Sequence, residues 1–273
     1  MSCLQGYAGR YVPLLSEMTA DLEEFLATGT ISGARRLAAA TGQHFNADRL
    51  PQFFTGDLDG PVVLVHLNPK QANTPMQRPG WQTTTRTLAE YFDACRHFGA
   101  RMYGPSSPRT HRSPFDHKQI RFLQPLGVID FVQERSRQDR FTNLERVVDD
   151  KLQLELVPYG SASFSTSGFT PAVLAPHYRR VLATIATVPR RYVLFCGAVF
   201  KRLLREHVTR WHEFHLRKND GTLARQRAAF ANLLLPYEGG YLRAGLAPSW
   251  ARQGIPMAAY AEEIRSRYES APK

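Results

Sequence analysis

The hydrophobic pattern of the chain alternates between short apolar runs and amphipathic stretches. Residues 11–42 read as two helices, with Leu14, Leu15, Met18, Leu22 and Leu26 at helical spacing and Ser32 placed to cap the second. Residues 61–67 read as a strand, in which the apolar run Pro61–Val65 leads straight into His66-Leu67-Asn68-Pro69, the pattern of a buried parallel strand entering a polar loop. A helix is predicted from Arg86 to about Phe98. Strands are predicted over Leu152–Val157 and Arg191–Cys196, each followed by a helix, Pro171–Val188 and Ala198–His207. Further strands are expected at Ala231–Leu235 and Tyr241–Leu246, and a last helix at Met257–Tyr268. Residues 99–125 and 208–230 show no clear period and are rich in basic and aromatic residues.

Strands alternating with helices imply an α/β fold. The expected architecture has three layers, with a central, mostly parallel four-stranded sheet flanked by helices and an N-terminal helical extension. The extension would cover residues 1–55 and the α/β domain 56–273, with basic insertions near 99–145 and 205–230.

Composition narrows the class. The 273 residues carry 35 Lys and Arg against 24 Asp and Glu, a net charge of +11, and the pI is about 9.9. Such an excess favours a polyanionic partner, most simply DNA. Arg dominates, and its planar fork of donors matches pairs of phosphate oxygens. No apolar stretch is long enough for a membrane helix, so no membrane partner is expected. MSCLQGYAGRY lacks the basic and apolar segments of a secretory signal. Cys3, Cys95 and Cys196 are few and widely spaced, which suits a reducing cytoplasm. His207, His212 and His215 follow no metal-ligand spacing, and no metal or cofactor is expected. Phosphate-loop, dinucleotide and Gly-x-Ser-x-Gly fingerprints are absent from the sequence. No obligate protein partner is evident.

Three strand ends carry polar loops: HLNPKQ at 66–71, ELVPYGS at 155–161 and LAPSWAR at 246–252. In an open α/β sheet such ends converge on one crevice. Pro69 holds Asn68 extended on a stiff stem, and an amide carbonyl can orient a water although it cannot serve as a base. His66 can hydrogen-bond or protonate a leaving group. The same residues also make an ordinary Asn-Pro turn beside a structural histidine.

Asn68-Pro69, Pro248-Ser249-Trp250-Ala251-Arg252 and VLFCGAVFKRLL at 193–204 together resemble the uracil-DNA glycosylase superfamily. The motifs are most similar to the branch of thymine-DNA and mismatch-specific uracil-DNA glycosylases, over about residues 60–265. The resemblance implies a monofunctional N-glycosylase that flips a base out of DNA and leaves an abasic site. Asn68 would position the water. Pro69, Lys70, Gln71, Glu155 and Tyr159 would surround the base, and Pro248, Ser249, Trp250 and Arg252 would hold DNA. Lys70 departs from the small residue of the motif, and Glu155 stands where uracil enzymes place an Asn. A carboxylate accepts from the cytosine N4 amine and repels the uracil O4. The two departures therefore point to an atypical base, such as a bulky modified cytosine of phage DNA, and to a role in phage defence or in repair. Two other readings stay open: a non-catalytic nucleic-acid-binding module, and a hydrolase of free nucleoside-type glycosides.

Overall fold

The computed structural model describes residues 3–69, 80–107, 113–163, 168–217, 220–247 and 256–270. The helices among them are α1 (Val12–Thr28), α2 (Ser32–Thr41), α3 (Gly80–Thr84), α4 (Leu88–Arg96), α5 (Phe98–Tyr103), α6 (Pro114–Leu123), α7 (Arg137–Asp149), α8 (Pro171–Ala186), α9 (Ala198–Leu203) and α10 (Met257–Glu269). The strands are β1 (Phe54–Gly56), β2 (Val62–His66), β3 (Leu152–Glu155), β4 (Tyr192–Cys196), β5 (Val208–Arg217), β6 (Leu223–Tyr237) and β7 (Gly240–Ala247). No helix among the described residues is long and apolar enough to cross a membrane.

The four-stranded expectation needs correction. All seven strands join one mixed sheet in the order β1-β3-β2-β4-β7-β6-β5. Its centre, β3-β2-β4-β7, is parallel throughout, while β1, β6 and β5 run antiparallel to their neighbours. One register row crosses every strand: Phe54, Leu154, Val65, Phe195, Leu246, Ala231 and Trp211. β1 escaped the sequence reading because three residues cannot show a period. β5 escaped it because His212 lies on its inward face with Phe214 and Leu216 while Trp211 lies on its outward face, so neither face is uniformly apolar or polar.

Side-chain alternation divides the core in two. Val63 and Val65 of β2 meet α1, α2, α4 and α8, whereas Val62 and Leu64 meet α5, α6, α7 and α10. Val62–Val65 are wholly buried because both faces are covered, which is why the strand reads as a continuous apolar run. In α1 the buried stripe is Leu14, Leu15, Met18, Leu22 and Phe25, and Leu26 is exposed. Both 25 and 26 fit helical spacing from Leu22, and only packing chooses between them. Ser32 is the first residue of α2 rather than its cap. The Glu24 carboxylate accepts from the Ser32 N–H (2.8 Å) and hydroxyl (3.0 Å), so a side chain from α1 starts α2.

Residues 99–145 hold α5, α6 and much of α7, the helical layer of the second face, rather than an irregular insertion. Local signals mark two of these helices: Ser113 caps α6 ahead of Pro114, and Ser136 with Asp139 forms a capping box on α7. The expected boundary between 55 and 56 falls inside β1, and α1 and α2 share one core with β2, β3 and β4. Tyr11 strengthens that docking: its hydroxyl donates to the Leu58 carbonyl (2.7 Å) or Asp59 (2.6 Å), and Arg190 donates to the Gly60 and Leu58 carbonyls (2.6 and 2.5 Å). A fragment of residues 56–273 is therefore expected to lack a cooperative thermal transition by circular dichroism. A sharp melt of that fragment would show that the N-terminal helices are dispensable.

Candidate functional site

The parallel strands place their carboxyl ends on one edge of the sheet, and β2 lies where the strand order reverses, between β3 and β4. Ligands of open α/β sheets bind at such a switch point. The loops leaving β2 and β3 stay zipped together beyond the strands. Leu156 N–H donates to the His66 carbonyl and Val157 N–H to the Leu67 carbonyl (both 2.8 Å), and Ser161 N–H donates to the Pro69 carbonyl (3.1 Å). Pro69 is buried. Asn68 therefore stands on a doubly held stem.

The orientation of the Asn68 amide follows from its partners. Its Nδ2 donates to Ser161 Oγ (2.7 Å) and lies 3.5 Å from the Tyr159 carbonyl and 3.4 Å from the Pro69 carbonyl. Backbone carbonyls accept only, so the nitrogen must face them and Oδ1 must face away. No donor among the described residues meets that oxygen, which leaves an acceptor aimed from a rigid mount.

A row of polar side chains runs along β3, the strand paired with β2. Lys151, Gln153 and Glu155 alternate along β3 and share a face. Lys151 Nζ donates to Gln153 Oε1 (3.3 Å), and Gln153 Nε2 donates to Glu155 Oε1 (2.9 Å). Glu155 is 3% exposed, and its Oε2 has no hydrogen-bond partner among the described residues. His66 is its register partner on β2, so both side chains project from the same face. The His66 ring meets Phe115 edge-on, with centroids 5.4 Å apart.

Burial dominates the charge states here. Desolvation raises the Glu155 pKa to about 8, with Gln153 and Lys151 pulling the other way. It lowers Lys151 to about 8, opposed by Asp116, Asp149 and Glu155. It lowers His66 to about 3, helped by the Lys151 charge. At neutral pH His66 is a neutral imidazole, able to hydrogen-bond but not to deliver a proton as imidazolium. Glu155 is mostly the neutral acid, with Oε2 free to donate or accept.

Arg180 of α8 holds the end of β3 from the opposite face. Its Nη2 donates to the carbonyls of Glu155 (3.1 Å) and Leu156 (2.9 Å), and its Nη1 donates to Glu17 of α1 (2.7 Å). The guanidinium also lies 5.0 Å over the Phe53 ring. This clamp had no signal in the sequence, since one Arg in an amphipathic helix looks like any other.

The sequence-predicted residues separate as follows. His66, Asn68, Pro69 and Glu155 come together at the carboxyl edge. The Tyr159 ring turns away: it is 8% exposed, meets His177 edge-on, and a Cβ on Gly33 would stand 2.1 Å from its hydroxyl. Only the Tyr159 carbonyl reaches Asn68. Lys70, Gln71, Pro248, Ser249, Trp250 and Arg252 lie outside the described residues. In comparisons with known proteins, no family model, no curated protein and no solved structure matches this chain.

The raised Glu155 pKa has a stability consequence with a definite sign. Between about 4.5 and 8 the folded state binds a proton that the unfolded state releases, so this group lowers stability as pH rises through that window. Glu155→Gln removes the penalty. Its stability advantage over the parent is expected to grow from under ~1 kcal/mol at pH 5 to on the order of 4 kcal/mol at pH 8. Urea denaturation at the two pH values measures this, and an advantage independent of pH would show that Glu155 is not the titrating group.

Proposed function

We propose that this chain is a DNA glycosylase, hydrolysing the N-glycosidic bond of a damaged, mismatched or modified base and leaving an abasic site. The observation that carries the reading is the Asn68 amide, whose nitrogen is committed to Ser161 and backbone carbonyls while Oδ1 meets no donor among the described residues. Catalysis would come from positioning: Oδ1 holds a water in line with the sugar carbon as the bond to the base lengthens and the sugar gains positive charge. Neutral His66 can donate an N–H to the departing base but is no general acid at neutral pH. DNA as partner is supported by the net charge of +11. Pro248, Ser249, Trp250 and Arg252 would grip the phosphate backbone and fill the vacated stack. Lys70 and Gln71 would border the base, and the Lys70 ammonium would contact a phosphate, an anionic base or a bulky substituent. A modified cytosine of phage DNA fits this reading, and with it a cytoplasmic role in phage defence.

Glu155 refines the choice of base. Ionised, it accepts from the N4 amine of a cytosine and repels a carbonyl at the same place. Protonated, it offers both a donor and an acceptor and pairs with either edge. Discrimination between cytosine-type and uracil-type bases therefore sharpens as pH rises through about 8.

Two outcomes are expected from incubating the protein with DNA carrying uracil, mismatches, methylated, hydroxymethylated and glucosylated cytosines, with alkali to reveal abasic sites. Asn68→Ala is expected to reduce strand scission at least ~100-fold while DNA affinity stays within about twofold, since misplacing a reactant removes catalysis and not phosphate contacts. The ratio of cytosine-type to uracil-type excision is expected to rise between pH 6.5 and pH 9 in the parent and to stay flat in Glu155→Gln. Salt-sensitive binding without abasic sites on any substrate would favour a non-catalytic binding module instead.

A further inference from the structure

The β5–β6 pair is more than the end of the sheet. β7 pairs only with Ala231–Tyr237 of β6, and its parallel run ends at Ala247. β6 is antiparallel to β7, so its earlier residues, Leu223–Phe230, continue past the carboxyl edge with β5 as their only strand neighbour among the described residues. At ~3.4 Å per residue this overhang reaches roughly 20–25 Å beyond the sheet. It stands on the same edge as Asn68 and Glu155. The register row running from Val65 through Phe195, Leu246 and Ala231 to Trp211 sets its lateral position. Four strand spacings of ~4.8 Å put the ribbon about 19 Å to one side of β2.

The ribbon has one packed and one bare face. On the packed face Phe214 stacks on Tyr260 of α10 (6.0 Å), Phe230 is fully buried, and the Tyr260 hydroxyl donates to the Ala229 carbonyl (2.8 Å). α10 therefore supports the overhang as a stiff arm. On the other face Trp211, Glu213, His215 and Arg217 alternate along β5, with Arg227 opposite His215. Trp211 is 36% exposed, its ring 4.5 Å from Lys201 Nζ. Glu213 is the acidic member of this face: it lies 3.5 Å from Arg227 and accepts from Trp211 Nε1 (3.4 Å). Residues 201–227 contain eight Lys or Arg against three Asp or Glu. A tenth of the chain thus carries nearly half of its net charge.

We infer that the bare face of the β5–β6 ribbon is a docking surface for the phosphate backbone of a DNA duplex, contacted to one side of the strand-end site. Charge complementarity selects the occupant. Arg217 of β5, Arg227 of β6 and Lys201 of the neighbouring α9 offer cations, and Trp211 offers a flat apolar surface to a sugar or base. At ~3.4 Å per base pair, the 19 Å offset corresponds to contacts about five or six base pairs from the nucleotide at Asn68. The inference shares the DNA partner of the proposed function and needs no excision chemistry.

The test is binding of an unmodified, fluorescently labelled duplex, followed by anisotropy across a salt series. The triple variant Trp211→Ala, Arg217→Ala, Arg227→Ala alters exposed side chains only, and its melting temperature is compared with the parent. Its affinity is expected to fall about tenfold or more, and its slope of log K against log salt to become shallower by about 2, one phosphate for each Arg. Glu213→Gln is a second, opposite probe and is expected to tighten binding severalfold. Duplexes trimmed from one end to fewer than about five pairs beyond a target base should lose the difference between parent and triple variant. Unchanged slope and affinity in a folded triple variant would overturn the inference. So would a change in oligomeric state with DNA affinity intact, which would assign the face to a second copy of the chain. Ribbon-dependent binding without base loss on any substrate would leave this surface standing and remove the glycosylase reading. Base excision by a triple variant that binds like the parent would do the reverse.

Discussion

The buried Arg180 guanidinium is the interaction on which the candidate site depends. The strands end at Glu155 and His66, but the chain cannot leave the sheet there without stranding carbonyl groups in an apolar core, which is costly. Arg180 takes up the carbonyls of Glu155 and Leu156, and Glu17 balances its charge. Released from the ladder in this way, residues 156–161 remain parallel to 66–69 and close on Asn68. The N-terminal segment takes up other groups of the same stretch: Gln52 N–H donates to the Pro158 carbonyl and Asn46 N–H to the Gly160 carbonyl (both 2.8 Å). Glu17, Asn46 and Gln52, all before residue 55, thus help to shape the candidate site.

The second face of the sheet carries the opposite tension. Lys151, Gln153 and Glu155 occupy core positions where apolar residues would be more stable, linked only through the amide of Gln153. Both charged groups are pushed toward neutrality by burial. Places where a local rule is broken without a structural return are where function tends to sit. Here the broken rule lies in register with His66 and within a few residues of Asn68. The unsatisfied Glu155 oxygen and the open Asn68 oxygen then have a common rationale: each awaits a hydrogen bond that the described residues do not supply.

The edge strands extend this logic outward. An exposed antiparallel pair is a liability for aggregation unless it is charged or covered. α10 covers one face of the β5–β6 ribbon, and Arg217 and Arg227 charge the other. The same charged features leave a cationic arm beside the crevice.

What the sequence by itself determined was every feature carried by a local period or a local cap. The apolar run Val62–Val65, the strand at 192–196, the amphipathic helices at 12–28 and 171–186 and the abrupt end at Asn68-Pro69 were all legible, because burial on one or two faces writes its spacing into neighbouring residues. Tertiary structure alone decided what depends on residues far apart in the chain. It joined β1 to β3 across about a hundred residues, set Glu155 opposite His66, turned the Tyr159 ring toward Gly33, chose Phe25 over Leu26 and recruited Arg180 to the strand end. It also made a ribbon of the basic stretch read as irregular. Hydrogen-bond partners and burial are properties of pairs brought together by folding, and a pair separated by many residues leaves no spacing for a sequence to show.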